Sequence, residues 1–348
     1  MKTLHKTLTF IPSDLFPKDA FFVDIETTGL SKYTHFIFCI GLIYRKENSL
    51  KQIQWMICSQ EEEAHLLQTF IEFISPFTTS YTYGGLHFER SFLIERFLFH
   101  FSCAQALESI KWHDLSRFPF IRNFFPKKRI KRRTLETHLK IKRTLSITGK
   151  EVVKLFTLYQ QNKEATNYEE ILLKHNEEEL TSLLSIYLFL TSLQKKLKKE
   201  NHFSVSRKEN EIILSVHMPE GEAFSFELEG IRGIKIIQSQ THFSLSLPIY
   251  TGHFYSFIED YKNYEYLPER QEIIHKSLAS LIPKAARRKA KKEECILKKE
   301  GNFIPLPFNA FSSRIWLDDQ KQKYIAEEDL FKENRTTNYL QALQKILF

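Results

Sequence analysis

Cysteine pairs, glycine-rich loops and an apolar run of membrane length are all missing from this sequence, and each absence removes a class of protein. The four cysteines, Cys39, Cys58, Cys103 and Cys295, are widely spaced with no CxxC among them. Neither a zinc site nor a disulfide framework is indicated, and free thiols fit a reducing cytoplasm. Glycine occurs 10 times in 348 residues, which argues against a glycine-loop architecture. The stretch from Met1 to Phe16 has neither a long apolar core nor a small-residue cleavage site. The most apolar helical pattern, around Leu183 to Leu193, is too short to span a bilayer and begins at a cluster of acids. The expectation is a soluble cytoplasmic protein with no membrane partner. No internal repeat or low-complexity segment is present.

What the chain does have is apolar bulk and positive charge. Apolar residues make up 42% and aromatics 14%, with 31 phenylalanines, enough to fill real cores. The length suits about two domains. The net charge is +8 and the pI about 9.1. Such a balance fits a polyanion partner if the cations cluster, and a solvated lysine surface if they do not.

Residues 21–25, 36–44 and 51–58 read as three strands, the second and third joined by a turn around Lys46–Asn48. The run "FIFCIGLIY" is nearly all apolar, as a strand buried on both faces is. A helix over 61–75, a strand ending in "TTSYTYGG", a helix over 88–99 and a strand in "IKWHDLS" follow. Further helices run to about residue 200, the last a long one from His175. Three strands followed by strand–helix alternation is the order of a mixed sheet flanked by helices. Beyond "LQKKLKKENH" the pattern changes to the short alternating segments "EIILSVHM", "EAFSFELEG", "RGIKIIQS" and "HFSLSLPIY", an antiparallel sheet. Residues 254–293 look mainly helical, "CILKKEGNFIPLP" looks like a hairpin turning at Glu300-Gly301-Asn302, and Asn338 to Phe348 looks like a short helix. The expected division is 1–200 and 201–348.

Chemistry concentrates in three acidic clusters. In "FFVDIETTGL" a buried strand ends on Asp24 and Glu26, two residues apart and so on one face. Two such carboxylates repel each other unless a cation lies between them, and hard divalent ions such as Mg²⁺ prefer oxygen ligands. An acidic strand end is the plainer alternative. In "TYGGLHFERSFL" Glu89 opens a helix just past a glycine turn; taken alone it reads as an acid at a helix N-terminus. In "KHNEEELTSLLSIYLFL" His175 and Glu179 share a helix face, and Glu179 aligns with Leu183, Ile186 and Leu190, while Glu178 aligns with Ser182 and Ser185. An inward acid needs a partner or a metal, although a solvated helix start accounts for the cluster equally well. Together Asp24, Glu26, Glu89 and Glu179 suggest a site for two divalent ions that hydrolyses a phosphodiester, with His175 taking a proton from the attacking water.

These motifs carry a resemblance. Residues 20–193 resemble the YprB-like branch of the ribonuclease-H-like superfamily, related to the DEDD 3′–5′ exonucleases. "FFVDIETTGL" is similar to the family's first exonuclease motif, "TYGGLHFE" to its second and "KHNEEELTSLLSIY" to its third; "RRTLETHLKI" and "ITGKEVVKLF" resemble its connecting helices. Gly84 stands where the family usually has Asn, and Glu89 and Glu179 where it usually has Asp. His175 is separated from Glu179 by three residues, the spacing of the tyrosine-type enzymes. The resemblance implies a ribonuclease-H-like mixed sheet flanked by helices; the alternating segments beyond it read as a smaller α+β domain with an antiparallel sheet. It implies a nuclease using Mg²⁺ or Mn²⁺, two ions held by Asp24, Glu26, Glu89 and Glu179. The rival is a non-catalytic nucleic-acid-binding module on the same fold, which recruits a helicase or polymerase, the second domain being the candidate surface for a protein partner.

Two basic stretches are the expected nucleic-acid contacts. "PKKRIKRR" offers Lys127, Lys128, Arg129, Lys131, Arg132 and Arg133 between the second and third motifs. "PKAARRKAKK", read as a basic helix, offers Arg287 and Arg288. Phosphate contacts of this kind add salt-sensitive, sequence-independent affinity. The run Lys195 to Lys199 instead reads as cations at a helix C-terminus. His113 and Asp114, after an apolar strand, read as a supporting pair or a structural cap.

Overall fold

A computed structural model of the chain describes residues 1–8, 16–125, 130–162, 166–199, 203–217, 226–239, 242–306, 314–332 and 336–341. The chain divides into two compact units, 1–199 and 200–348. No helix among the described residues is long and apolar enough to cross a membrane.

The first unit is built on a sheet of β1 (Lys2–Leu8), β2 (Ala20–Thr27), β3 (Ile37–Lys46), β4 (Ser49–Met56), β5 (Thr79–Thr82) and β6 (Lys111–Asp114), in the order β1-β4-β3-β2-β5-β6. The first four pair antiparallel, while β2–β5 and β5–β6 are parallel. Its helices are α1 (Glu63–Ile74), α2 (Glu89–Phe101), α3 (Gln105–Glu108), α4 (Pro119–Phe124), α5 (Arg132–His138), α6 (Gly149–Gln161) and α7 (Thr166–Lys199). The mixed sheet flanked by helices is the fold class expected from the sequence. Strand β2 is buried along its whole length, and alternation divides it between two cores. Phe21, Val23 and Ile25 join Leu66, Phe70, Phe92 and Phe156 on one side of the sheet. Phe22 points the other way, stacked on Phe16 at 4.7 Å and edge-on to Tyr187 of α7 at 5.3 Å.

Two features of this unit differ from the sequence reading. Strand β1 is polar and exposed, so it gives no apolar alternation; backbone pairing with β4, from Lys2 opposite Met56 to Leu8 opposite Leu50, is what makes it a strand. The long helix begins at Thr166, well before His175.

The second unit opens with a five-stranded antiparallel sheet of β7 (Ser204–Lys208), β8 (Glu211–His217), β9 (Phe226–Glu229), β10 (Lys235–Gln238) and β11 (His242–Pro248); the alternation predicts all of these but β7. Residues 254–293 are not mainly helical. They continue β12 (Tyr250–Phe257) and form β13 (Tyr264–Leu267), β14 (Glu272–His275) and β15 (Arg288–Lys289), with one short helix, α8 (Lys276–Ala279). Their charged residues have good helix propensity, but cross-strand pairing overrides it. The expected hairpin is instead one strand, β16 (Ile296–Pro305), in which Gly301 faces Gly252 and Asn302 faces Thr251. Its turn-forming residues lie inside a ladder because β12 supplies a matching glycine. With β17 (Trp316–Leu317) and β18 (Lys323–Ala326), β12 and β16 close a small barrel around Phe254, Phe303, Trp316 and Tyr324. A last short helix, α9 (Glu327–Leu330), follows. Residues 336–341 are helical, and the rest of the expected C-terminal helix lies outside the described residues.

Candidate active site

The face of β2 that carries Phe22 also carries Asp24 and Glu26, so both carboxylates lie beneath α7 and both are buried. A bulge between Glu26 and Thr27 ends the regular pairing with β3 immediately beyond them. Bulges of this kind re-aim side chains at the ends of strands.

Asp24 is held by a polar chain that crosses three strands. Asn176 of α7 donates through Nδ2 to Asp24 Oδ2 at 3.0 Å, and its Oδ1 accepts from Gln54 Nε2 at 2.9 Å. Gln54 also donates to the Leu173 carbonyl at 2.8 Å. Gly41, the residue of β3 opposite both Asp24 and Gln54, is what lets the helix approach. A Cβ there would overlap Asn176 Oδ1 and lie 2.6 Å from Leu180 Cδ1.

Glu89 arrives from the other side, as the first residue of α2. The turn before it needs Gly84 at φ +79°, in the left-handed region. The next glycine makes room for the carboxylate: a Cβ on Gly85 would overlap Glu89 Oε2 and lie 2.6 Å from Thr82 Cβ. Gly85 thus gives the longer acid space to fold back toward the strand end. Asp114 is the cap of this corner, accepting from Gly84 N at 2.7 Å and Ser116 N at 2.9 Å, while His113 stacks on Tyr81.

On α7, Glu179 points into the site and Glu178 away from it. Glu178 accepts from the backbone of Thr144 at 2.7 Å and of Leu145 at 3.2 Å. Glu179 meets three guanidiniums, with Arg133 the most distant at 3.9 Å from Oε1. Arg143 reaches its Oε1 at 2.5 Å and its Oε2 at 3.0 Å, and Arg132 pairs with Oε2. Arg132 also lies 3.4 Å from Asp24 Oδ1, and Arg143 is shared with buried Glu136 at 2.8 Å. His175 Nε2 sits between the acids, 3.7 Å from Glu26 Oε1 and 3.6 Å from Glu179 Oε1. Asp24, Glu26, Glu89, His175 and Glu179 all line one cavity of about 600 Å³, together with Arg132 and Arg133.

The electrostatics of this cavity are uneven. Burial, then the charge of Asp24, pushes Glu89 up to about 8. The same two causes push Glu26 well above the carboxylate range. Burial also raises Asp24, against the opposing pull of Arg132, Arg143 and Asn176. Burial first, and then Arg143, Arg133 and Arg132, depress His175 to about 4, so its imidazole is neutral at neutral pH. Glu26 Oε1, Glu89 Oε2 and His175 Nδ1 are buried without a hydrogen-bond partner. Unpartnered hard oxygens that resist ionisation are the donor set a divalent cation satisfies. Asp24, Glu26 and Glu89 therefore fit such an ion, although no three acidic, His or Cys side chains among the described residues are drawn into one coordination set.

The expected nucleic-acid contacts fall in different places. Lys127, Lys128 and Arg129 lie outside the described residues. Lys131 is exposed just before α5, and Arg133 lines the cavity mouth, donating to the Ile147 carbonyl at 3.1 Å. Arg132 turns inward to the acids. The expected basic helix at 283–292 is a pair of short 3₁₀ turns around the two-residue β15. In it Arg287 pairs with Glu265, and Arg288 with Glu294 at 2.8 Å. Sequence reasoning missed Asn176, Gln54, Glu136 and Arg143. One usable signal was Gly41 inside the apolar run, since a glycine within a buried strand marks a close approach.

The family model that matches the chain, described as RNase_H superfamily, covers residues 21–191. No curated protein matches. Among solved structures, the family B DNA polymerase from the hyperthermophilic archaeon Pyrobaculum calidifontis is similar at 10% identity and a TM-score of 0.40, over 95% of this chain and 46% of that one. The chain thus spans less than half the length of that polymerase, and a likeness this slight carries no weight. The family match takes in every strand of the first sheet except β1, and that sheet places Asp24 and Glu26 at the end of its central strand β2: residues 21–191 form a ribonuclease-H-like domain.

Proposed function

We propose that this domain hydrolyses phosphodiester bonds of nucleic acid with Mg²⁺ or Mn²⁺ held by Asp24, Glu26 and Glu89, acting as a 3′–5′ exonuclease. The observation that carries the reading is the pair of buried, unpartnered carboxylate oxygens, Glu26 Oε1 and Glu89 Oε2, lining one solvent-open cavity with Asp24. The superfamily match supports hydrolysis, and the likeness of "FFVDIETTGL" to the first exonuclease motif supports the exonuclease class and a two-ion mechanism with Glu179 as a further ligand. A bound divalent ion supplies an acidified water and charge neutralisation at phosphate. The chain supplies the rest. Asn176 fixes the orientation of Asp24, and Gly85 leaves room for the Glu89 carboxylate. Neutral His175 is in the form that accepts a proton, and Arg133 and Lys131 offer positive charge to the phosphate backbone near the cavity.

The test is incubation of the full chain with 5′-end-labelled DNA and RNA in Mg²⁺, Mn²⁺ or EDTA, beside Asp24→Asn. A ladder shortening from the 3′ end is expected, abolished by EDTA. In the variant it should be slowed by several kcal/mol of lost transition-state stabilisation, roughly 10²-fold or more. Equal cleavage by Asp24→Asn would remove the site. The second reading, a nucleic-acid-binding module, is favoured by one observation: Arg132 and Arg143 already neutralise Glu179. Retention of the labelled strands without cleavage in any metal would select it.

A further inference from the structure

We propose that the site holds a single divalent cation, in the Asp24–Glu26–Glu89 corner, and that the Arg132 and Arg143 guanidiniums are the fixed positive charge of the opposite corner, so that Glu179 anchors arginines rather than a metal. This rests on the nuclease reading and departs from the two-ion scheme that the motif likeness implies.

The two corners differ at their glutamates, while the Asp24 oxygens accept from Asn176 at 3.0 Å and, more distantly, from Arg132 at 3.4 Å. In the first, Glu26 is 8% and Glu89 9% exposed, and each has a buried carboxylate oxygen with no hydrogen-bond partner. In the second, both oxygens of Glu179 are taken: Oε1 by Arg143 at 2.5 Å, Oε2 by Arg143 at 3.0 Å and by Arg132. A second ion ligated by Glu179 would have to displace charge-assisted contacts to two guanidiniums. Arg143 is not free to swing aside. Its side chain is only 6% exposed and is held by Glu136, which also accepts from Ser182 Oγ at 2.5 Å and lies 3.8 Å from Arg132 Nε. Removing one partner of a buried ion pair leaves an uncompensated charge, a strongly unfavourable change.

The charge count agrees. The cavity lining carries four carboxylates, Asp24, Glu26, Glu89 and Glu179, and two guanidiniums, Arg132 and Arg133, while the Arg143–Glu136 pair behind them adds no net charge. With all four acids ionised, as ligation of a cation requires, the remainder is two negative charges, which one divalent ion cancels. Arg132 spans the corners, with Nη1 3.4 Å from Asp24 Oδ1 and Nη2 on Glu179. A guanidinium in that position also presents donors suited to phosphate oxygens, so Arg132 can bind the substrate's scissile group beside the ion.

The test is metal stoichiometry of the full chain. Metal-free protein is titrated with Mn²⁺ by calorimetry, with and without an uncleavable phosphorothioate oligonucleotide, and the bound ion is observed by electron paramagnetic resonance. One ion per chain is expected, with the six-line spectrum of an isolated Mn²⁺. Asp24→Asn should weaken it roughly 100-fold or more, since loss of a supporting contact alone brings about 10–100-fold, and Glu179→Gln by less than about 3-fold. Circular dichroism melts show whether Glu179→Gln is folded; the wild-type stoichiometry and spectrum decide the matter if it is not. Two ions with a spin-coupled spectrum, or a Glu179→Gln loss equal to that of Asp24→Asn, would overturn the single-ion site and leave the nuclease reading standing. No bound ion would overturn both.

Discussion

Glu89 shows at the scale of one residue how this site pays for its chemistry in stability. Its carboxyl is buried beside Asp24 and is pushed up from 4.5 to about 8. A group whose pKa is higher folded than unfolded holds its proton more tightly in the native state. Its contribution therefore favours folding below the ordinary carboxyl range and is lost as the pH rises toward 8. In chelator, the melting temperature should fall between about pH 5 and pH 8, and Glu89→Gln should flatten much of that fall. Saturating Mn²⁺ should restore stability at the alkaline end for the wild type more than for the variant, because binding to the native state alone stabilises it. Melts by circular dichroism across this range, with and without Mn²⁺, measure all three effects; a wild-type slope equal to that of Glu89→Gln would show that Glu89 is not the strained acid. Asp24, Glu26, His175 and Glu179 were legible as candidates because spacing fixes their faces, and Glu89 because it opens a helix just past a glycine turn. Arg132 was legible only as a cation. Its inward turn depends on acids brought by β2 and α7 from far away in the chain.

Among the elements, β2, β3 and α7 form one device. The alternation of β2 and the inward stripe of α7 could both be read from the sequence, since each is a local period. Their closeness could not, because it comes from a missing side chain on a third element. Gly41 lies in β3, and only the register Asp24–Gly41–Gln54 shows that a glycine there admits Asn176. The same limit explains the second unit, where 254–293 looked helical: β12 is a strand because β16 pairs with it, and Gly252 faces Gly301 across that pair. The prediction at this scale is Gly41→Ala. Its Cβ would overlap Asn176 Oδ1 and crowd Leu180, so either α7 moves outward or the Asn176 amide turns away from Asp24. Overpacking of this kind costs about 1–3 kcal/mol. Urea denaturation should show that loss with an unchanged slope, and Mn²⁺ affinity should fall with it, because Asp24 would lose its Nδ2 donor. A variant as stable as the wild type with undiminished Mn²⁺ affinity would mean that the close approach at Gly41 does not position the acid.

For the whole molecule the question is how much of the chain the chemistry needs. Every residue assigned to the cavity, and every partner that orients one, lies within 1–199. One core of that unit is built from residues between Phe21 and Leu173, drawing on β2, β3, β4, α1, α2, α6 and α7. A unit of this size with its own contiguous core is in the range that folds alone. The second unit has separate clusters, one around Phe254 and Phe303 and one around Ile258 and Cys295. The two arginines expected there to meet nucleic acid are already paired, Arg287 with Glu265 and Arg288 with Glu294. Residues 1–199 produced alone should therefore unfold in one cooperative transition and bind Mn²⁺ within about 3-fold of the full chain's affinity, well under the 10–100-fold that loss of a supporting contact brings. Affinity for a single-stranded oligonucleotide should keep most of its salt dependence, because Arg133 and Lys131 remain and the paired arginines of the second unit release few counterions. The measurements are a thermal melt, a Mn²⁺ titration and binding isotherms at several salt concentrations, on the fragment and the full chain side by side. A fragment that folds and binds Mn²⁺ but loses its salt-dependent affinity would assign nucleic-acid capture to residues 200–348, and Arg287 and Arg288 would then have to break their ion pairs to take part.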